Sequence, residues 1–159
     1  MPEGFKKRFV RERAKALAVV FLTRRDDLTI TDAQKESGLD FLVSIAHDGE
    51  PSTRVFGVHV NATMEPVTID HANKVLKPTM AANQRLTHPL YPVCLFFFTM
   101  REEQAFSTWL VEPVVTATGR PKLIVHDTAA CKELDNRTIN EIVSRVNDWY
   151  DVLTTELIA

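Results

Sequence analysis

The sequence predicts an α/β (α+β) fold in which a mixed, mostly antiparallel sheet is flanked by an N-terminal and a C-terminal helix. Three observations predict it. Apolar residues recur at helical spacing at both ends of the chain, runs of strand length alternate or are continuously apolar between them, and Gly- and Pro-containing turns separate those runs. With 159 residues and 45% hydrophobic content, the chain fits one domain over 1–159. At that length about two thirds of the unfolded surface can be buried without a metal or disulfide staple.

The elements follow in order. Phe9, Ala14, Leu17, Val20 and Phe21 mark an amphipathic helix over 5–24, with Glu12 and the basic side chains on its outer face. "LTI" (28–30) is a short strand, and "GLDFLVSIA" (38–46) a clearer one, closed by "HDGEPS" turn chemistry. "VFGVHVNAT" (55–63) alternates apolar Phe56, Val58 and Val60 with Gly57, His59 and Asn61, and the short gap before it predicts an antiparallel hairpin with 38–46.

A helix near 70–77 meets Pro78, which ends or kinks it, and a second short helical piece runs to Leu86. "YPVCLFFFT" (91–99) reads as a central strand covered on both faces. Three successive Phe cannot share a strand face, so Phe96, Phe97 and Phe98 are core rather than a base-stacking platform. "FSTWLVE" (106–112) and "KLIVHD" (122–127) are two further strands, separated by Pro113 and a "TGRP" turn. Leu134, Ile139, Ile142, Val143, Val146, Trp149, Tyr150, Leu153 and Leu157 form the stripe of a long last helix, capped by Asp135 or Thr138.

Charge narrows the function classes. The net charge is −2, but residues 1–25 hold eight basic side chains against Glu3 and Glu12, while the remainder holds 11 basic and 19 acidic ones. Lys6, Lys7, Arg8, Arg11 and Lys15 are therefore candidate contacts to nucleic-acid phosphates, or to an acidic protein partner. The longest apolar run near the N-terminus, "ALAVVFL", is too short and too closely flanked by charge to span a membrane. Cys94 and Cys131 have no Cys-x-x-Cys spacing, which with the missing leader pattern predicts a reduced, cytoplasmic protein. There is no Gly-rich phosphate loop, no serine-nucleophile motif and no internal repeat. His47, His71 and His88 lack ligand spacing, and His126 with Asp127 closes a strand, where such pairs are usually structural.

The order of a Glu-bearing helix, "GLDFLVSI", "VFGVHVNAT", "YPVCLFFF" and "WLVEP" resembles bacterial PD-(D/E)XK nuclease-like domains of unknown function, of DUF 4365 type. The resemblance covers roughly residues 8–113. It implies a restriction-endonuclease-like core in which an Asp opens one strand, and an acidic residue or Gln, followed two residues later by Lys, lies on the next. Asp40 matches the Asp and Glu12 the first-helix Glu. His59 stands where Glu or Gln is expected and Asn61 where Lys is expected, while the flanking "FGV" and "AT" are retained.

Metal-dependent phosphodiester cleavage needs a hard cation held by carboxylate oxygens to activate a water and neutralise phosphate charge. The lysine position stabilises the transition state, and losing one such group costs about 10²–10³ in rate. Asn61 still donates a hydrogen bond but brings no charge. A neutral imidazole at His59 suits Mn²⁺, Ni²⁺ or Zn²⁺ better than Mg²⁺. Two readings follow for the set Asp40, His59, Asn61 and Glu12. One is a catalytically impaired nuclease-like domain retained as a binding or interaction module, with no bound metal. The other is a variant nuclease with a divalent metal on Asp40 and His59. Nucleic acid or a protein partner fits the basic helix, no membrane contact is implied, and a homodimer stays open.

Overall fold

A computed structural model describes residues 3–86 and 88–158. The chain runs α1 (Glu3–Leu22), β1 (Leu28–Asp32), β2 (Phe41–His47), β3 (Glu50–Thr63), α2 (Ile69–Val75), α3 (Lys77–Asn83), β4 (Val93–Thr99), β5 (Ala105–Val115), β6 (Pro121–Val125), β7 (Lys132–Glu133) and α4 (Asn136–Ile158). The strands form one sheet in the order β1-β2-β3-β4-β5-β6, with β7 pairing β5. Among the described residues only β3 and β4 run parallel, which requires the α2–α3 crossover between them; the other pairs are antiparallel.

The β2–β3 hairpin closes through Asp48 and Gly49 at φ 52° and 77°. Two successive positive φ values are what a two-residue turn between right-twisted strands demands, and Asp-Gly accepts them readily. β4 is buried along its whole length, because helices cover both faces of the sheet there. Phe96 and Phe98 join Ala14, Ala18, Val58 and Val146 in a core beneath α1 and α4. Phe97 and Leu95 point the other way, into a second core with Ala72, Leu76 and Met80 of α2 and α3.

Several boundaries differ from the expectation for a physical reason. In α1 the buried positions are Ala14, Ala18 and Leu22, while Phe9 and Val20 face solvent. "ALAVVFL" is apolar all round, so its composition does not choose the inner face. Pro78 opens α3 rather than ending α2, using the first turn where a missing N–H costs nothing. α3 stops at Asn83, short of Leu86. β5 continues through Pro113 to Val115, because its pairing with β4 is already over at Val111 and no ladder on that side needs the proline's N–H. Leu157 is exposed at the end of α4.

α4 is held at several points. Asp135 caps it, its Oδ1 accepting the Thr138 N–H at 2.9 Å. Tyr150 Oη donates to the Val55 carbonyl at 2.7 Å. Arg145 clamps the helix to β5, donating to Glu112 Oε2 at 2.6 Å and to the Pro113 carbonyl at 2.9 Å, with its guanidinium 5.6 Å from the Trp109 ring centre. His126 Nε2 meets the other Glu112 oxygen at 2.7 Å. Burial pushes the Glu112 carboxyl up, but hydrogen bonds from Arg145 and His126 more than offset it, leaving it below the usual range.

A lowered folded-state pKa contributes stability that is present above the unfolded value, about 4.3, and is lost as pH falls through the folded one. Glu112→Gln is expected to cost about 1 kcal/mol at pH 7 in urea unfolding, and the gap to the native chain should close as the pH is taken below 4.

Candidate functional site

β3 presents two faces in strict alternation. Val58 and Val60 pack into the core under α1, so His59 and Asn61 emerge on the α2–α3 face. Gly57 shares their face at close quarters: a Cβ at that position would lie 2.5 Å from Leu39 Cδ1 and 3.3 Å from the Tyr91 ring, so a larger residue would make the Leu39 side chain shift. Leu39 thereby crosses over the strand beside His59.

Asp40 immediately precedes β2, and its backbone still belongs to the sheet. Its N–H donates to the Val58 carbonyl at 2.9 Å, and its own carbonyl accepts the Ala33 N–H at 3.1 Å. Beyond this point the β2 strand leaves the ladder, so the next inward N–H of β3, that of Val60, has no strand acceptor. The Asp40 side chain supplies it: Oδ2 accepts the Val60 N–H at 2.7 Å. Oδ1 accepts from Arg11 Nη2 of α1 at 2.6 Å. The carboxylate is 3% exposed against 56% for the arginine side chain, so a buried charge is neutralised by a cation reaching in from the surface.

His59 Nδ1 donates to the Gly38 carbonyl at 3.0 Å and lies 3.7 Å from Asp40 Oδ2. With the proton on Nδ1, Nε2 is the free acceptor. Asn61 Nδ2 donates to Thr79 Oγ1 at 3.3 Å, and its Oδ1 accepts the Ala62 N–H at 3.0 Å. Glu12 is exposed on α1, with no ion pair to Arg8 or Lys15 among the described residues. Asp40 and His59 are thus brought together, Asn61 is turned to α3, and Glu12 is left outside.

As placed, these donors do not fit a hard divalent cation. Both Asp40 oxygens are engaged by Val60 and Arg11, the nearer His59 nitrogen carries its proton toward Gly38, and no third His, Cys, Asp or Glu joins them among the described residues.

The basic residues divide. Lys6, Lys7 and Arg8 are exposed. Lys15 is drawn down until its Nζ lies 5.8 Å from the Phe41 ring centre. Lys6, Lys7, Val10 and Arg11 form one wall of a cleft of about 390 Å³ whose other wall is the end of β3 and Met64, with no carboxylate lining it among the described residues. Cys94 and Cys131 are free and buried. Burial pushes both thiols up, Cys131 to about 11, so neither is a ready nucleophile.

Sequence reasoning missed Arg11 as the partner of Asp40, since a pair 29 residues apart on a helix and a strand has no local signature. It also passed over the Glu112–Arg145–His126 cluster. The signal for that cluster was the "TGRP" hairpin, whose register sets His126 opposite Leu110, with the His126 N–H on the Leu110 carbonyl at 3.0 Å. Compared with family models, curated proteins and solved structures, the chain matches none.

Asp40→Ala is expected to cost about 1–3 kcal/mol, the price of a buried N–H at Val60 left without an acceptor. Asp40→Asn, which keeps an oxygen for that N–H, should cost less than half as much. Equal urea midpoints for the alanine variant and the native chain would refute this role for the carboxylate.

Proposed function

We propose that the chain is a PD-(D/E)XK nuclease-like domain that no longer hydrolyses phosphodiesters and works in the cytoplasm as a binding module for nucleic acid. The observation that carries the reading is the state of Asp40. The carboxylate that the resemblance assigns to metal binding is spent on the fold, completing the β3 ladder and holding Arg11. The second-strand positions support the same conclusion. His59 turns a protonated nitrogen to the Gly38 carbonyl, and Asn61 brings an amide to Thr79 where the pattern has a charged lysine.

What remains favourable to a polyanion is the cleft beside α1. Lys6 and Lys7 are placed to meet successive phosphates, beside an Arg11 already held by Asp40, and no carboxylate lines the cleft among the described residues. The mixed sheet between N- and C-terminal helices fits the nuclease-like core. Cysteines that are buried and unpaired suit a reducing compartment.

The test is a cleavage and binding panel on duplex DNA, single-stranded DNA and RNA with Mg²⁺, Mn²⁺, Ni²⁺ or Zn²⁺. No cutting is expected with any of them; metal-dependent cutting that vanishes in Asp40→Ala would establish the variant nuclease instead. Binding through about two phosphate contacts, Lys6 and Lys7, should weaken roughly 12-fold between about 50 and 200 mM salt. The slope should flatten in Lys6→Glu/Lys7→Glu, and affinity indifferent to salt would contradict this mode of binding.

A further inference from the structure

The largest described cavity, about 610 Å³, opens on the other face of the sheet, on the side of His59. That is within the range of small-molecule sites, about 300–1,000 Å³. Its floor is apolar, built by Leu39, Val93, Leu110 and Val111, and Tyr91 offers a half-buried ring at its side. Arg85 stands exposed at the rim, and no carboxylate lines the cavity among the described residues. In a chain with more acidic than basic side chains, that selection favours a ligand with an apolar body and an anionic end.

The polar groups on one wall narrow the class further. In the neutral imidazole, with Nδ1 donating to Gly38, His59 Nε2 is an acceptor. Asn83 spends its Nδ2 on the Leu110 and His126 carbonyls, both at 2.8 Å, which leaves its Oδ1 as a second acceptor. Thr79 Oγ1 accepts from Asn61, so its own O–H is left to donate. Two acceptors and one donor suit a ligand edge that carries two N–H groups and a lone pair. A fatty acid has no such edge, whereas an amino-bearing heteroaromatic base has one, and its flat ring stacks on tyrosine.

We propose that this cavity binds a nucleotide with an amino-bearing base: the base enters over Leu110 toward His59 and Asn83, and the phosphate stays at Arg85. The nucleotide is either free or an unpaired residue of a strand. The site does not depend on the cleft beside α1, so it stands or falls separately from the binding mode proposed above.

The experiment is an NMR titration of the full chain, following the His59 and Tyr91 side-chain signals, with AMP, IMP, adenosine, decanoate and an oligodeoxyadenylate. AMP is expected to shift both signals saturably and to bind about fivefold tighter than IMP, the worth of one hydrogen bond. Arg85→Gln should weaken AMP by a similar factor and leave adenosine unchanged, while His59→Phe should weaken both. Shifts by AMP identify a free nucleotide; shifts by the oligonucleotide alone, sensitive to Arg85→Gln, identify a nucleotide of a strand. Saturation by decanoate alone, no shift with any probe at millimolar concentration, or AMP binding unchanged in both variants would overturn the assignment.

Discussion

The carboxylate of Asp40 is the point through which the N-terminal half of the chain is tied together. It is buried at the place where β2 stops covering β3, and a buried N–H left open there would cost as much as a lost hydrogen bond. One oxygen closes that ladder at Val60 and the other takes Arg11 from α1, while the Asp40 backbone is bonded to Val58 on one side and Ala33 on the other. Helix α1 and strands β1, β2 and β3 therefore meet at one residue. A carboxylate so placed is a structural acceptor first, and every functional reading of its neighbours follows from that.

The second constraint is the burial of β4 on both faces. Because Phe96 and Phe98 serve one core and Phe97 the other, the sheet separates two environments. On one side α1 brings lysines and an arginine to a cleft along β3. On the other, His59 opens on an apolar cavity and Asn61 bonds Thr79 of α3. Asp40, which holds Arg11 of α1 and lies 3.7 Å from His59, stands between the two. The division sets the proposed polyanion cleft and the proposed nucleotide cavity on opposite faces of one strand.

Much of this was legible in the sequence because its signals are local. The period of two in "VFGVHVNAT" assigns Val58 and Val60 to one face and His59 and Asn61 to the other. Asp48-Gly49 marks the hairpin, and three successive Phe imply a strand buried twice. What was not legible depends on long-range geometry. The inner face of α1 was hidden by an apolar run with no polar side, so Val20 was assigned to it wrongly, as was Phe9 nearer the start of the helix. Pro113 looked like a terminator because sequence cannot show that β4 has already left that edge. The candidate site was legible as a set of positions, Asp40, His59 and Asn61, but not as a set of bonds. That Arg11 neutralises Asp40, that Asn61 turns to Thr79 and that Glu12 stays in solvent follow from the packing of α1 and α3 on the sheet.

The central claim is that Asp40 belongs to the fold and not to a metal. It is tested most directly by adding Mn²⁺ to the isotopically labelled chain and measuring paramagnetic broadening at the Asp40 carboxyl carbon and the His59 ring. The account predicts no more broadening at these two groups than at exposed carboxylates such as Glu12. Strong, saturable broadening of both at low Mn²⁺, with the Arg11 ion pair released, would contradict it.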